Sequence, residues 1–359
     1  MPRRRRPTVS ALIALMLAAV APARAEAPAA APVGLQAEVT LPDSSELASN
    51  AELLTRFLNP LAAEAARRKL SRAGVTMAGQ PVDPATARFT IYVPPTRPPS
   101  GYGLLVFVPP WREAALPAGW ALALDRLGMI YVSAAASGND QKLVTRRAPL
   151  ALLAYQNMAR RYPLDPARVY IGGFSGGSRV ALRIALAYPD VFRGALLNAG
   201  SDPIGAPPIP LPAAALFRTF QARTRLFYVT GSADEVNLAL DGASLASLHA
   251  WCVFHTEAKV MRSVGHTVPD AGALSVAIAA LDRPAVADPG RLDACRSQKA
   301  GELDAALARV KALLAAGQRD SARKLLVAID DSFGGLAAPA TIELADQCDC
   351  GLLDPPGRR

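Results

Sequence analysis

The fold is constrained most by an alternation of short apolar runs with helical stretches between residues 87 and 284. Each run is bounded by Gly, Pro or polar residues, as is typical of strands buried on both faces of a sheet; the runs are residues 104–108, 129–132, 169–172, 195–197 and 226–229. Apolar residues at helical spacing fill the segments between them, chiefly 143–161, 177–188 and 237–252. Apolar and polar side chains alternate at 89–93, which predicts the first strand. Because parallel strands need long crossover connections, the alternation predicts an α/β fold with a doubly wound, mostly parallel sheet.

Residues 26–85 precede the predicted α/β domain, which spans residues 86–284. Their first part, 26–42, is rich in Ala and Pro and predicts a linker. From residue 44 to 70, apolar side chains recur at three- and four-residue spacing, which is the pattern of a helix. We expect Pro60 to kink or divide that helix, because proline lacks an N–H and its ring clashes with the preceding turn.

Residues 285–359 are predicted to form a C-terminal helical extension. Two helices are expected, over 302–316 and 320–329, joined at Gly317. A lone helical hairpin more often caps a core than binds a partner, and the sequence identifies no protein partner for it. The expected architecture is therefore an α/β domain with an N-terminal helical segment and a C-terminal helical appendage.

The N-terminus has the three parts of a secretory signal peptide. Four arginines at residues 3–6 come first, a short apolar run at 9–20 follows, and residues 23–25 form an A-x-A cleavage site. We expect residues 1–25 to be removed, leaving a secreted or periplasmic protein. No Cys lies directly after the cleavage site, so a lipid anchor is not expected. The apolar runs stay short of the roughly 18 residues that a spanning helix needs, so no stable membrane insertion is expected after cleavage.

The net charge of +9 does not indicate a nucleic-acid partner. Residues 1–25 contain five arginines and no acidic residue, so about half of the basic excess would leave with the signal peptide. The rest of the chain contains no block of five or more basic residues. We therefore predict no nucleic-acid-binding function.

The four cysteines are expected to form disulfides; they are Cys252, Cys295, Cys348 and Cys350. An even number of Cys in an exported chain favours bridges, although four cysteines allow three connectivities. Zinc binding by the Cys348-Asp-Cys350 segment is the alternative. No neighbouring His or second Cys pair supports it, so no metal site is predicted. We expect bridges that tie the C-terminal part of the chain to the core.

The segment Gly173-Phe-Ser175-Gly-Gly177 follows one of the apolar runs and opens a helical stretch. Gly-x-Ser-x-Gly between a strand and a helix is typical of a nucleophilic serine, because the glycines allow a sharp turn and leave the hydroxyl unobstructed. Backbone N–H groups at the helix N-terminus also favour developing negative charge. The alternative is a phosphate-binding or plain packing turn, but the Lys of a phosphate-binding loop is absent and the dinucleotide-binding spacing does not fit. The pattern predicts Ser175 as a nucleophile.

A serine nucleophile needs a base to accept its proton, and the chain has three histidines. His266 follows a strand predicted over 258–264, on a loop at the C-terminal end of that strand, where open parallel sheets form their sites. His249 falls within a predicted helix and His255 at the start of a strand, which are positions more typical of surface or packing residues. We predict His266 as the general base.

A third residue should orient the base and stabilise its protonated form. Asp234 and Glu235 both follow the last of the five apolar runs, and Asp234 is the preferred candidate. The alternative for either acid is the N-cap of the helix that begins near residue 236. Asp202, after the preceding run, is the reserve candidate. The order nucleophile, acid, base along the chain is the one expected when these groups lie at successive strand ends.

Around these residues the sequence resembles the alpha/beta-hydrolases, and more narrowly the secreted esterases that include poly(3-hydroxybutyrate) depolymerases and feruloyl esterases. The resemblance is carried by Asp165-Pro-Ala-Arg-Val-Tyr170, by the Gly-x-Ser-x-Gly segment and by Tyr188-Pro-Asp-Val-Phe192. Prolyl-oligopeptidase-like hydrolases are a neighbouring possibility. The resemblance covers about residues 86–284 and is specific only around 165–200. It implies an eight-stranded sheet, no cofactor, and acyl transfer through a covalent acyl-enzyme.

One departure from that resemblance concerns the groups that would hold the oxyanion. Such hydrolases usually carry His-Gly after the third strand, where this chain has Pro109-Pro110-Trp111. Pro110 has no N–H to donate. We therefore predict the backbone of Trp111 as one oxyanion donor and that of Gly176 as the other. Trp111 and Trp120 are candidate walls of an apolar acyl pocket, with a place in the core as the alternative for both.

The combined prediction is an exported serine hydrolase that cleaves a small-molecule or polymeric carboxylic ester. In it Ser175 attacks the acyl carbonyl, His266 accepts and returns the proton, and Asp234 orients His266. One alternative is a peptidase of the prolyl-oligopeptidase-like type, which such a triad alone does not exclude. The other is a non-catalytic binding protein that retains the fold, favoured by the two prolines and the appended segments.

Overall fold

The computed structural model describes Met1, residues 31–284 and residues 288–353. The expected signal peptide and its cleavage site lie outside the described residues, Met1 excepted. Among the helices of the described ranges, none is both long enough and apolar enough to cross a lipid bilayer.

The described residues form one eight-stranded sheet with the strand order β1-β2-β4-β3-β5-β6-β7-β8. The strands are β1 Gly34–Val39, β2 Phe89–Val93, β3 Tyr102–Val108, β4 Met129–Ala134, β5 Leu164–Phe174, β6 Gly194–Asn198, β7 Arg225–Gly231 and β8 Thr256–Met261. The strands β3 to β8 pair in parallel, while β1 and β2 pair antiparallel to their neighbours. The doubly wound, mostly parallel sheet predicted from the alternation is confirmed.

Eleven α-helices lie in the described ranges. They are α1 Asn50–Phe57, α2 Pro60–Arg72, α3 Trp120–Leu127, α4 Ala148–Arg161, α5 Gly176–Ala187, α6 Ala214–Arg223, α7 Glu235–Ala250, α8 Ala271–Asp282, α9 Pro289–Ala315, α10 Arg319–Phe333 and α11 Ala340–Cys348. The single helix expected over 44–70 is divided as predicted, since α2 begins at Pro60. Proline is tolerated there because the first turn of a helix has no intrahelical partner for its N–H groups.

Strand β2 departs from the pattern that its sequence suggests. Apolar and polar residues alternate along it, which is typical of a strand with one face in water, yet all five residues are buried. Its polar side chains are satisfied internally: the Thr90 hydroxyl donates to the carbonyl of Ala114 at 2.8 Å, and the Tyr92 hydroxyl donates to Asp125 Oδ1 at 2.8 Å. Hydrogen bonding of this kind allows polar groups to be buried at little cost.

The prediction that residues 26–42 form a linker is wrong for residues 34–39. These residues form β1, which pairs antiparallel with β2 at the edge of the sheet. Leu35 in this strand is 60% exposed, so β1 carries little of the apolar burial by which a strand is recognised in a sequence. Its place in the sheet comes from main-chain pairing with β2.

The C-terminal helices are more extensive than the predicted hairpin. Helix α9 begins at Pro289 instead of near residue 302, and α11 was not expected. Leu61 of α2 joins buried side chains from α9, α10 and α11 in a small core, so the N-terminal and C-terminal segments pack together. Disulfide Cys252–Cys295 links the residues after α7 to α9, and Cys348–Cys350 closes a short local bridge. The first bridge ties the C-terminal helices to the sheet domain, as expected, and the second does not.

A buried carboxyl group lies where α10 meets α2. Asp330 is 4% exposed, and its Oδ1 accepts the backbone N–H of Leu61 at 3.2 Å. Burial raises the pKa of Asp330 to about 7; the Leu61 N–H opposes this and the neighbouring Asp331 adds to it. Because the folded state holds a proton that the unfolded state releases near pH 4, the contribution of Asp330 to stability should fall as the pH rises from about 4 to 7.

We expect Asp330→Asn to raise the free energy of unfolding by about 2 kcal/mol at pH 8 and to flatten its decline between pH 4 and 7. The amide is uncharged at every pH and can still accept the Leu61 N–H. Urea unfolding of both proteins at several pH values measures the effect. Asp304→Asn, at an exposed position on α9, is the matched control and should keep the wild-type slope. An unchanged slope in Asp330→Asn would contradict the assignment.

Candidate active site

Ser175 occupies the sharp turn between β5 and α5. Its backbone lies at φ 56° and ψ −123°, a region that residues with a side chain rarely adopt. Hydrogen bonds hold it there: its N–H donates to the carbonyl of Asn198 at 2.8 Å, and its carbonyl accepts from the Ser178 N–H at 2.9 Å. A strained residue maintained in this way is typical of a functional site, and the strand–turn–helix arrangement is that of a nucleophile elbow.

Glycines beside Ser175 allow main-chain segments to touch. A Cβ atom on Gly177 would lie 1.9 Å from the carbonyl oxygen of Val108, and one on Gly173 would lie 2.2 Å from the carbonyl oxygen of Gly177. Both distances are far too short for a real side chain. The end of β3 and the start of α5 are therefore in direct backbone contact, which brings the loop after β3 next to Ser175.

The structure brings Ser175, His266 and Asp234 together. The Nε2 atom of His266 lies 3.0 Å from Ser175 Oγ, and its Nδ1 atom lies 2.6 Å from Asp234 Oδ2. Because an ionised carboxylate can only accept, Nδ1 carries a proton toward Asp234 and Nε2 is left free to accept the hydroxyl proton of Ser175. This geometry suits proton transfer from the serine.

Asp234 stands at the N-cap position of α7, but its side chain makes no capping hydrogen bond and instead faces His266. Burial tends to raise the pKa of Asp234, yet hydrogen bonds from His266 and Asn237 outweigh it and hold that pKa below its ordinary value. The Asn237 Nδ2 atom lies 2.8 Å and 3.0 Å from the two carboxylate oxygens. Asp234 therefore stays ionised beside the imidazole.

Asn237 was not predicted as a site residue. Its position three residues after Asp234 was a usable signal, because residues three apart on a helix lie on the same face. The amide gives the carboxylate a second hydrogen-bond donor besides His266.

An aromatic surface adjoins the imidazole. The ring of Phe174 lies 4.7 Å from that of His266, and Trp111 in turn lies 5.8 Å from Phe174, measured between ring centroids. Trp111 is only partly buried, and 43% of the His266 side chain is exposed. Phe174 itself is only 7% exposed, so Trp111 supplies the accessible part of this aromatic surface.

The prediction that Trp120 lines a substrate pocket is wrong. Trp120 is fully buried at the start of α3, its Nε1 donates to the carbonyl of Pro269 at 2.8 Å, and its ring packs edge-on against Phe107 and Tyr131. Because the apolar face of α3 packs on the sheet, the side chain belongs to the core.

The remaining candidates lie outside this cluster. Asp202 pairs with Arg179 at 3.2 Å and with Arg183 at 3.3 Å instead of reaching His266. His249 Nε2 contacts the hydroxyl of Thr256 at 3.0 Å. Burial, with a smaller contribution from a nearby arginine, lowers the pKa of His255, which is not in the site. Over the described ranges, no group of three or more His, Cys, Asp or Glu side chains is placed to hold a metal ion.

Two backbone N–H groups are candidates to hold an oxyanion. In a trans peptide the N–H points opposite to the preceding carbonyl. The Ser175 carbonyl is bound into α5 through Ser178, so the Gly176 N–H points out of the helix N-terminus. The Pro110 carbonyl accepts the Asn139 N–H at 2.9 Å, so the Trp111 N–H points away from residue 139, and no backbone acceptor in the described ranges takes it. We call these two N–H groups the oxyanion site.

We expect Gly177→Ala to lower the free energy of unfolding by about 3 kcal/mol or more, because the added methyl group has no space beside the Val108 carbonyl. Gly242→Ala is the matched control, since Gly242 lies in the interior of α7 and an added Cβ would meet nothing within 4 Å. That substitution should raise stability by about 1 kcal/mol. Urea unfolding measures both, and equal changes in the two variants would contradict the close contact.

We expect Asn237→Ala to lower turnover of any substrate that this site hydrolyses by about tenfold, which corresponds to about 1.4 kcal/mol, the energy of one hydrogen bond to a charged group. The loss should fall on kcat more than on KM, because the amide orients Asp234 and does not reach Ser175. Val236→Ala on the same turn, where the side chain is 73% exposed, is the control and should be neutral. Steady-state kinetics measure both variants. Unchanged kcat in Asn237→Ala would show that the amide has no positioning role.

Comparison of the sequence with protein-family models gave no match, and comparison with curated proteins gave none. Solved structures with a similar fold include an acetyl xylan esterase from Aspergillus awamori, 16% identical with a TM-score of 0.41 over 53% of this chain and 92% of the esterase. An esterase from Pyrobaculum calidifontis is 14% identical with a TM-score of 0.40 over 55% of this chain and 80% of that chain. A puromycin-hydrolyzing peptidase from Mycobacterium tuberculosis is 16% identical with a TM-score of 0.38, and the match covers 54% of this chain and 36% of the peptidase. The strand order and the parallel pairing of β3 to β8 are those of the alpha/beta-hydrolases, and the chain has the alpha/beta-hydrolase fold.

Proposed function

We propose that this protein is a serine hydrolase that cleaves carboxylic esters through an acyl-enzyme on Ser175. The observation that carries the proposal is the continuous line of contacts from Ser175 Oγ to His266 at 3.0 Å and from His266 to Asp234 at 2.6 Å. A serine hydroxyl is a weak nucleophile until a base accepts its proton, and this line supplies the base and its orienting acid.

Acylation begins when Ser175 Oγ forms a bond to the acyl carbon and its proton passes to His266 Nε2. The negative charge that develops on the carbonyl oxygen is held by the oxyanion site, while Asp234 stabilises the imidazolium. The bond between the acyl carbon and the alcohol oxygen then breaks, and the departing oxygen takes the proton from His266. A water molecule repeats the sequence on the acyl-enzyme, releasing the carboxylic acid and restoring Ser175.

The surroundings of Ser175 favour an ester whose acyl part is apolar. The partly exposed ring of Trp111 packs on the buried ring of Phe174, which in turn lies beside His266. Val264 and Val268, on either side of His266, are only partly buried against the core and add aliphatic surface. An apolar acyl group placed there gains the free energy of leaving water and is oriented for attack.

Export to a periplasm or to the cell exterior completes the proposal. Residues 1–25 have the composition of a signal peptide, and the Cys252–Cys295 bridge is of the kind that persists in oxidising compartments. The substrate would then be an ester available outside the cytoplasm.

Ser175→Ala and His266→Ala should each lower p-nitrophenyl acetate hydrolysis by at least about a thousandfold, because each removes a member of the acyl-transfer chain. A fluorophosphonate probe should label the wild type and leave Ser175→Ala unlabelled. Ser321→Ala and His249→Ala change the same residue types outside the site and should keep wild-type rates.

Equal labelling of wild type and Ser175→Ala, or of neither, would overturn the assignment of the nucleophile. Acetyl p-nitroanilide, measured beside the ester, tests the substrate class. We expect the ester to react at least about a hundredfold faster, and a preference for the amide would make the protein a peptidase.

A further inference from the structure

A buried cation lies beneath the oxyanion site. Arg147, in the turn just before α4, is 5% exposed. Its Nη2 donates to the carbonyl of Pro109 at 2.9 Å, and its Nη1 donates to the carbonyl of Gly176 at 3.3 Å and to Asn139 Oδ1 at 3.4 Å. One guanidinium therefore contacts the loop after β3, the first residue of α5 and the loop after β4.

No carboxylate in the described ranges lies within ion-pairing distance of Arg147; Asp140 acts on it only through space. Burial lowers the pKa of Arg147 to about 10, so the group remains charged at neutral pH. Its Nε atom is buried without a partner. A buried charge without a counter-ion is costly even when its N–H groups are hydrogen-bonded. The charge therefore calls for an explanation beyond packing.

The contacts of Arg147 hold the peptide groups next to the two that form the oxyanion site. Arg147 donates a hydrogen bond to the Pro109 carbonyl, and the backbone N–H of Asn139 donates one to the carbonyl of the following residue, Pro110. The direction of the Trp111 N–H follows from the second of these contacts, because it is opposite to the Pro110 carbonyl. On the other side, Arg147 holds the carbonyl of Gly176, whose own N–H is the second donor.

Asn139 contacts both the loop after β3 and the start of α5. A Cβ atom on Gly176 would lie 2.0 Å from Asn139 Oδ1, so the amide occupies the space that a side chain at position 176 would need. Since a guanidinium can only donate, its contact with Asn139 fixes which end of the amide faces it. Both loops are thereby packed against the start of α5.

We propose that Arg147 is a positioning residue for the oxyanion site, holding the N–H groups of Trp111 and Gly176 in the geometry that stabilises the tetrahedral intermediate. Its positive charge, in a site of low dielectric, also favours the negative charge on that intermediate. The inference rests on the proposed function, because an oxyanion forms only if Ser175 attacks a carbonyl group. A side chain that served packing alone would contribute to folding but not to this geometry.

The test compares an ester with the matching thionoester, in which sulfur replaces the carbonyl oxygen. Sulfur is larger and a weaker hydrogen-bond acceptor, so a well-positioned oxyanion site favours the oxygen ester. Arg147→Met should lower kcat for p-nitrophenyl acetate by about 10–100-fold with little change in KM, and should lower the ratio of oxygen-ester to thionoester rates by about tenfold. Arg147→Lys keeps the charge without the forked geometry of the guanidinium. It should recover only part of the kcat and only part of the ratio of oxygen-ester to thionoester rates. Arg161→Met, at the exposed C-terminal end of α4, is the control.

An unchanged ratio, with both esters slowed equally, would overturn the proposal, because partial unfolding lowers both rates alike. If Arg147→Met fails to fold, Asn139→Ala replaces it, since Asn139 is exposed and its loss should lower the same ratio by about threefold.

Amide NMR resonances of Trp111 and Gly176 test the positioning without any turnover. We expect both to shift in Arg147→Met and to stay in place in Arg161→Met. Resonances that do not move would overturn the proposal whatever the activity. Resonances that move in a protein whose wild type hydrolyses neither ester would support the positioning while refuting the proposed ester chemistry.

Discussion

The contact between the Val108 carbonyl and the backbone of Gly177 is the constraint on which the site depends. It brings the end of β3 against the start of α5 at a distance that no side chain permits. Ser175 is held at its unfavourable backbone angles by hydrogen bonds to β6 and α5, and the loop after β3 is brought next to it. The nucleophile and the candidate oxyanion donors are thus positioned by main-chain packing between neighbouring strands, which the sheet makes rigid.

The segments outside the sheet are organised around a second, smaller core. Leu61 of α2 packs with α9, α10 and α11, and the disulfide Cys252–Cys295 fixes α9 to the end of α7. None of these residues reaches Ser175. The buried carboxyl of Asp330 makes this core sensitive to pH, because burial favours its neutral form. The contribution of Asp330 to the pH dependence of folding therefore arises away from the site.

Much of the fold and of the candidate site could be predicted because the signals are local. Apolar runs show where buried strands lie. Ser175 and Asp234 each follow such a run and His266 follows the predicted last strand, so parallel pairing brings them to one edge. Strand β1 was missed because it buries little apolar surface and is held by main-chain pairing with β2, and helix α11 because part of its packing is against α2, which is distant in sequence. Trp120 was misassigned because a single aromatic residue near a predicted site gives no indication of which way it faces. Arg147 had no local signal, since its partners come from the loop after β3, the loop after β4 and the start of α5.

In the proposed reaction, charge of both signs develops at once, and the site provides for each. The imidazole becomes positive and lies 2.6 Å from Asp234, whose pKa is held low by His266 and Asn237. The carbonyl oxygen becomes negative near the two backbone N–H groups, with the buried guanidinium of Arg147 behind them. The negative charge of Asp234 thus lies beside the imidazole, which becomes positive, and the positive charge of Arg147 lies behind the N–H groups that face the carbonyl oxygen, which becomes negative. Because neither group reorients as the reaction proceeds, their stabilisation is available without the reorganisation that water would require.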